Sequence, residues 1–129
     1  MSRKCNLWYL IRGFKLKFCW LELGAKCDFE IFYNSLTTRE QKKVIVAIEK
    51  FSENGMCWNK EISKKITDNI YEIKAGQIRI PFFFHKAYQN HIVITHMFKK
   101  KRDKWPQTEV KRAEERMIKA QELDPKEPE

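Results

Sequence analysis

Three β patterns in close succession constrain this chain more than any other feature of it. Ile70 to Lys74, Ile78 to Phe84 and His91 to Phe98 follow one another, separated only by Ala75-Gly76 and by a polar connection through Tyr88-Gln89-Asn90. Strands joined by such short turns run antiparallel, because a parallel return needs a crossover of about a dozen residues or more. Pro81 interrupts the second pattern and has no N–H to donate, so that strand is expected at a sheet edge or beside a bulge. The third pattern is nearly all apolar, which predicts a strand covered on both faces.

Upstream, Phe14 to Trp20 alternates apolar and polar residues, the period of a half-buried strand. Leu7 to Ile11 is also strand-like but is cut off by Arg12-Gly13. Residues 1–14 are therefore read as an N-terminal extension, either an added strand or a poorly packed appendage. Asp28 to Leu36 predicts a short helix with Phe29, Phe32, Tyr33 and Leu36 on one side. Thr37 and Thr38 are each followed three residues later by Glu40 or Gln41, the signature of a capping box that starts a second helix. Val44, Ile45, Ile48 and Phe51 make its apolar stripe, and Asn54-Gly55 ends it as a left-handed cap would. Pro106, Thr108 and Glu109 open a last helix. Its Val110, Ala113, Met117 and Ala120 face inward, while Lys111, Arg112, Arg116 and Lys119 face outward. The Pro-broken polar end, residues 123–129, reads as a disordered tail. The expectation is one α+β domain over residues 15–122: an antiparallel sheet of about four strands, two N-terminal helices packed on one face, and a C-terminal helix, with the helices on one side of the sheet.

The formal net charge is +9, an excess that points to nucleic acid, an acidic protein or an anionic surface. No apolar run approaches the ~20 residues of a membrane span, and Leu7 to Ile11 is shorter than the roughly 7–15 residues of a secretory core. A cytoplasmic protein is expected. Cys5, Cys19, Cys27 and Cys57 form no C-x-x-C pair, so free thiols are expected, and neither metal nor cofactor. There is no Gly-rich phosphate loop and no nucleophile elbow, which leaves NTPase and esterase chemistry unsupported.

Positive charge gathers at Lys99-Lys100-Lys101 and continues through Arg102 and Lys104. Alternation puts Glu72 and Lys74 on one side of the first strand of the meander. It puts Arg79, Pro81, Phe83 and His85 on one side of the second, and Ile92, Ile94, His96 and Phe98 on one side of the third. In a suitable register Glu72, Lys74, Arg79 and His96 line one concave surface, with Lys100 and Lys101 at its rim. Such a surface suits metal-independent RNA cleavage, in which a 2′-hydroxyl attacks the neighbouring phosphate. That reaction needs a base, an acid and cations that stabilise the phosphorane charge. Arg79 and the lysines match phosphate oxygens. Glu72, His96 and a desolvated Lys74 are the candidate bases, and Phe98, Trp105 and Tyr71 the candidate stacking platforms. Each has a plainer reading. Glu72 alone is more often a paired strand carboxylate, His96 a satisfied core residue, and the lysine run a solvated turn. Trp105 can equally pin the last helix to the sheet.

Ile70-Tyr-Glu-Ile-Lys74, Arg79-Ile-Pro-Phe-Phe-Phe84, His96-Met-Phe-Lys-Lys-Lys101, and Pro106-Gln-Thr-Glu109-Val110 with Ala113 together resemble the RelE/HigB-like toxins, in particular their phage-derived HigB-like branch. That branch reads Y-E-L-R, R-[VI]-x-[FY], h-x-F-x-K-K and P-x-x-E-[IV]-x-x-A. The likeness runs over about residues 15 to 121, and its specificity lies in the order and spacing of the motifs. It implies the toxin of a type II toxin–antitoxin system, an mRNA interferase that cuts mRNA in the ribosomal A site, neutralised by a helix-turn-helix antitoxin. By position, Lys74 and Arg79 match the strand cations that handle the scissile phosphate, and Lys100 and Lys101 match the basic pair after the last strand. Glu72 matches a glutamate whose role stays open. Lys74 stands where the branch usually has Arg, and Lys99 where it has an apolar residue. No tyrosine follows the basic pair, and residues 1–14 fall outside the pattern. Two other classes remain: a toxin-fold protein that binds RNA or ribosomes without cutting, and a basic adaptor for an acidic protein.

Overall fold

The structure, a computed structural model, describes residues 5–24, 28–55, 63–100 and 105–127. In chain order its strands are β1 (Cys5–Arg12), β2 (Lys17–Leu23), β3 (Ser63–Lys65), β4 (Tyr71–Ala75), β5 (Ile78–Phe84), β6 (His91–Ile94), β7 (Phe98–Lys99) and β8 (Pro125–Lys126). The helices are α1 (Asp28–Ser35), α2 (Thr38–Asn54) and α3 (Gln107–Ala120). The strands lie in the order β3-β4-β5-β6-β2-β1-β8, with β7 also paired to β5.

The meander forms as its short turns require: β4 with β5 and β5 with β6 are antiparallel. The sheet as a whole is mixed and eight-stranded, not an antiparallel sheet of about four. β2 runs parallel to β6 and β1 parallel to β8. The chain leaves β2, passes through α1 and α2, builds the meander, and returns to the β2 edge in the same direction. That long excursion is the crossover a parallel pair needs.

Helices cover both faces, contrary to the expectation of one. Ile73, Ile80, Phe82, Ile92 and Ile94 point toward Val44, Ile48 and Phe51 of α2. The alternate residues Phe83 and Val93 point the other way, into a second cluster with Leu7, Trp105, Ala113 and Ala120. The period-two strand pattern thus feeds two cores at once. Arg116, read as outward-facing, turns instead onto the Thr95 carbonyl and the Asp28 carboxylate.

Pro81 sits in a central strand, so the bulge alternative applies, and the bulge lies in the partner. Ile94 pairs with Phe82 and Phe98 with Arg79, so one extra residue is taken up between β6 and β7, opposite the missing donor. That slip reverses the pleat. Ile92 and Ile94 belong to the α2-side core, whereas Phe98 lies in the α3-side cluster. The four residues expected on one face are therefore split.

Residues of the N-terminal extension form β1, antiparallel to β2, with Leu7 fully buried. The turn after it is clamped to α2: the N–H groups of Lys15 and Leu16 both donate to the Ser52 carbonyl, at 2.8 and 2.9 Å. The expectation of a disordered tail gives way over residues 123–127. The His85 ring bonds the Leu123 carbonyl at 2.8 Å, Tyr88 donates to Asp124 at 2.7 Å, and β8 pairs with β1. A Pro-broken polar segment needs no core of its own when it can borrow a sheet edge and two side chains.

The helix starts and stops are as expected. Thr37 accepts from the Glu40 N–H while the Glu40 carboxylate accepts from the Thr37 N–H. Gly55 closes α2 with φ 85° and an N–H bond to the Phe51 carbonyl. Cys19 is buried and free, its thiol pushed up to about 12 by burial, and Cys5 is also free. Cys27 and Cys57 lie outside the described residues. Among the described residues no helix is long and apolar enough to cross a membrane.

Candidate functional site

The β4–β5 hairpin fixes which cations meet. Gly76, with φ 65°, takes the left-handed conformation the tight turn needs. The resulting register pairs Lys74 with Arg79 and Glu72 with Pro81. Directly paired residues project to the same side of a sheet, so Glu72, Lys74 and Arg79 share the face opposite α2. β3 adds Lys64, the register partner of Glu72. Lys100 is held at the same end, its N–H donating to the Gln77 carbonyl at 2.9 Å.

Electrostatics tie these groups together. The Lys100 ammonium has its pKa lowered, first by burial; the Glu72 carboxylate opposes the shift, and Arg79, Lys64 and Lys74 add to it. Glu72 itself is 0% exposed. Its Oε1 accepts from the Trp105 indole N–H at 2.5 Å, and its Oε2 stands 3.6 Å from Arg79 Nε, too far for a hydrogen bond. The Arg79 guanidinium also donates to the backbone carbonyls of Gly76 and Ile78, at 2.7 and 3.2 Å. The arrangement is a cationic face built over one buried anion. It offers several cationic donors of the kind that match phosphate oxygens.

The other expected site residues fall differently. His96 is 2% exposed, bonded at Nδ1 to the Thr95 hydroxyl at 3.0 Å and stacked on Phe98. Its pKa falls to about 3, first from burial and then from Arg116 and Arg112, against the pull of Asp28. The Glu109 carboxylate lies 3.8 Å from Nε2 but is shared with Arg112 at 3.2 Å, so burial prevails and the imidazole stays neutral. His96 is thus a core residue and does not join the concave surface. Phe98 and Trp105 are each 8% exposed and meet edge to face at 4.9 Å. Their rings are filled with protein, not open to a base. Tyr71 packs on Phe82 and Phe84. Lys99 points to the opposite side, its Nζ 2.9 Å from the Glu40 carboxylate of the capping box. Lys101, Arg102 and Lys104 lie outside the described residues.

Lys64 is the member that sequence reasoning missed. Ser63-Lys64-Lys65 carries no apolar alternation, and a three-residue edge strand declares itself only through its partner. The indole donor to Glu72 was missed too, although Trp105 had been marked as a possible pin.

Fold and site describe a small α+β protein in which a cationic sheet face overlies a buried carboxylate. The family described as phage derived protein Gp49-like (DUF891) matches residues 32–118. The chain belongs to that family, which lies within the RelE/HigB-like toxin superfamily. The match spans α2, the whole meander and most of α3, and so contains every described member of the cationic face. No curated protein matches the chain.

Proposed function

We propose that the protein is the toxin of a type II toxin–antitoxin pair, of the HigB-like branch, and that it arrests translation by cutting mRNA in the ribosomal A site. Membership of a toxin-like phage-derived family supports the toxin reading at a coarse level. The observation that carries the nuclease reading is the register of the hairpin, which sets Lys74 beside Arg79 with Lys100 tied to the same turn.

In the reaction we infer, the 2′-oxygen of one nucleotide attacks its own 3′-phosphorus and the bond to the next 5′-oxygen breaks. The 2′-hydroxyl proton leaves to a base and the 5′-oxygen receives one. The products are a 2′,3′-cyclic phosphate and a 5′-hydroxyl, with no redox change and no co-reactant. Arg79 and Lys74 bind the charge that grows on the phosphorane oxygens. Lys100, whose pKa is lowered by burial, exchanges the proton. Glu72 is boxed in by Trp105 and Arg79 and acts by holding them. Lys101, Arg102 and Lys104, which follow Lys100 in the chain, extend the path of the RNA backbone, whereas Lys99 is turned away to Glu40. The partners are mRNA on the ribosome and a helix-turn-helix antitoxin, and the compartment is the cytoplasm.

A binding-only reading has one observation in its favour: Glu72 and His96, two of the candidate bases, are buried. Induced expression in bacteria with mapping of mRNA 5′ ends separates the two. Growth arrest with codon-phased cuts is the expected result. Arrest without cuts favours blockade by binding, and no arrest overturns the toxin reading.

A further inference from the structure

A second feature lies away from the scissile-phosphate face. Between α2 and the β4–β5 turn runs an open groove of ≈ 590 Å³. Its α2 wall recurs every three or four residues, from Arg39 through Lys43, Val46 and Lys50 to Asn54. This is the stripe along which one helix packs against another. The centre of the stripe is small and apolar, at Val46 and Ala47, with Phe51 behind them. Val46 is 41% exposed although it is flanked by the core residues Val44 and Ile48.

Charge selects the occupant. Arg39, Lys42, Lys43 and Lys50 of α2 border the groove, the hairpin segment of Lys74, Ala75 and Gly76 closes it from the sheet, and none of the described lining residues is acidic. Nucleic acid would meet the cations but gain nothing from an apolar floor of valine and alanine. A second copy of this chain would bring like charge to like charge. We propose that this groove is a docking site for an acidic amphipathic α-helix of a partner protein. Its apolar edge would lie on Val46 and Ala47, and its carboxylates would reach the flanking lysines and arginine. α2 spans 17 residues, or about 25 Å at ~1.5 Å per residue, so the bound helix has room for some four to five turns. The docking site does not rest on the nuclease reading.

The test uses the full chain and a labelled helical peptide of about 16 residues. Leucine and alanine occupy one edge of the peptide, with glutamate on both flanks. Its controls are a scrambled peptide of the same composition and a single-stranded RNA of similar charge. Fluorescence anisotropy should show the amphipathic peptide binding at least tenfold tighter than the scrambled one. Val46→Asp, and separately Lys42→Glu with Lys50→Glu, should weaken it tenfold or more with the melting temperature unchanged. Equal binding of the scrambled peptide overturns the proposal, because charge alone would then suffice. So does RNA binding that these substitutions weaken while the peptide is unaffected. Concentration-dependent self-association that Val46→Asp abolishes would assign the groove to a second copy instead. No arm reads RNA cleavage, so the docking site and the nuclease reading stand or fall separately.

Discussion

A carboxylate with no exposed surface, held by an indole N–H on one oxygen and facing a guanidinium across 3.6 Å on the other, cannot reach a substrate in solvent. Any effect of Glu72 on a ligand must therefore pass through its neighbours. Glu72 is the group that opposes the lowering of the Lys100 pKa. Glu72→Gln keeps the shape and an oxygen for Trp105 but removes the charge. Lys100 should then lose its proton at a lower pH, and the pH at which RNA affinity is half lost should fall. An unmoved profile would detach Glu72 from Lys100. His96 gives a second prediction. It takes up a proton at about 3 in the fold, against an ordinary 6.5. Between those values the unfolded chain binds the extra proton, so acid favours unfolding. This contribution is intact above about pH 6.5 and is lost as pH drops toward 3. His96→Gln should flatten that stretch of a plot of urea midpoint against pH, whereas an unchanged slope would assign it to other groups.

At the level of elements, sequence patterns read well wherever local chemistry dictates the backbone. The capping box at Thr37 and Glu40, the stop at Gly55 and the turn at Gly76 all stand where short motifs put them. Thr37→Ala removes the side-chain acceptor at the α2 N-terminus and should cost about 1 kcal/mol, a drop of a few degrees in melting temperature. No change by calorimetry would mean that water replaces the cap. The misses share a cause, which is dependence on distant partners. β3 and β8 are too short to carry a pattern and exist because β4 and β1 offer an edge. Pro81 announced an irregularity, yet nothing local says that the extra residue falls in the neighbouring strand. That shift is what moved Phe98 to the other face and left His96 in the core.

On the scale of the whole molecule, two cationic surfaces among the described residues adjoin the β4–β5 hairpin: the sheet face over Glu72, and the groove beside α2. Part of the candidate site was legible in advance. Alternation put Glu72 with Lys74 and put Arg79 on one side of its own strand, and the hairpin register joins the two sets. The outward aromatics were not legible, because α3 covers a face that sequence left open. Cations that grip phosphate should make ribosome or RNA affinity fall as salt is added, through counterion release. The proposed nuclease depends on Arg79 and Lys100 together holding one scissile linkage. The most direct measurement captures RNA fragments bearing 5′-hydroxyl ends after induction of the wild-type chain and of Arg79→Ala and Lys100→Ala. Codon-phased 5′-hydroxyl ends are expected from the wild type, and their loss, at least a hundredfold, from each variant while it remains folded by circular dichroism. Undiminished cutting by either folded variant, or 5′-phosphate ends from the wild type, would contradict it.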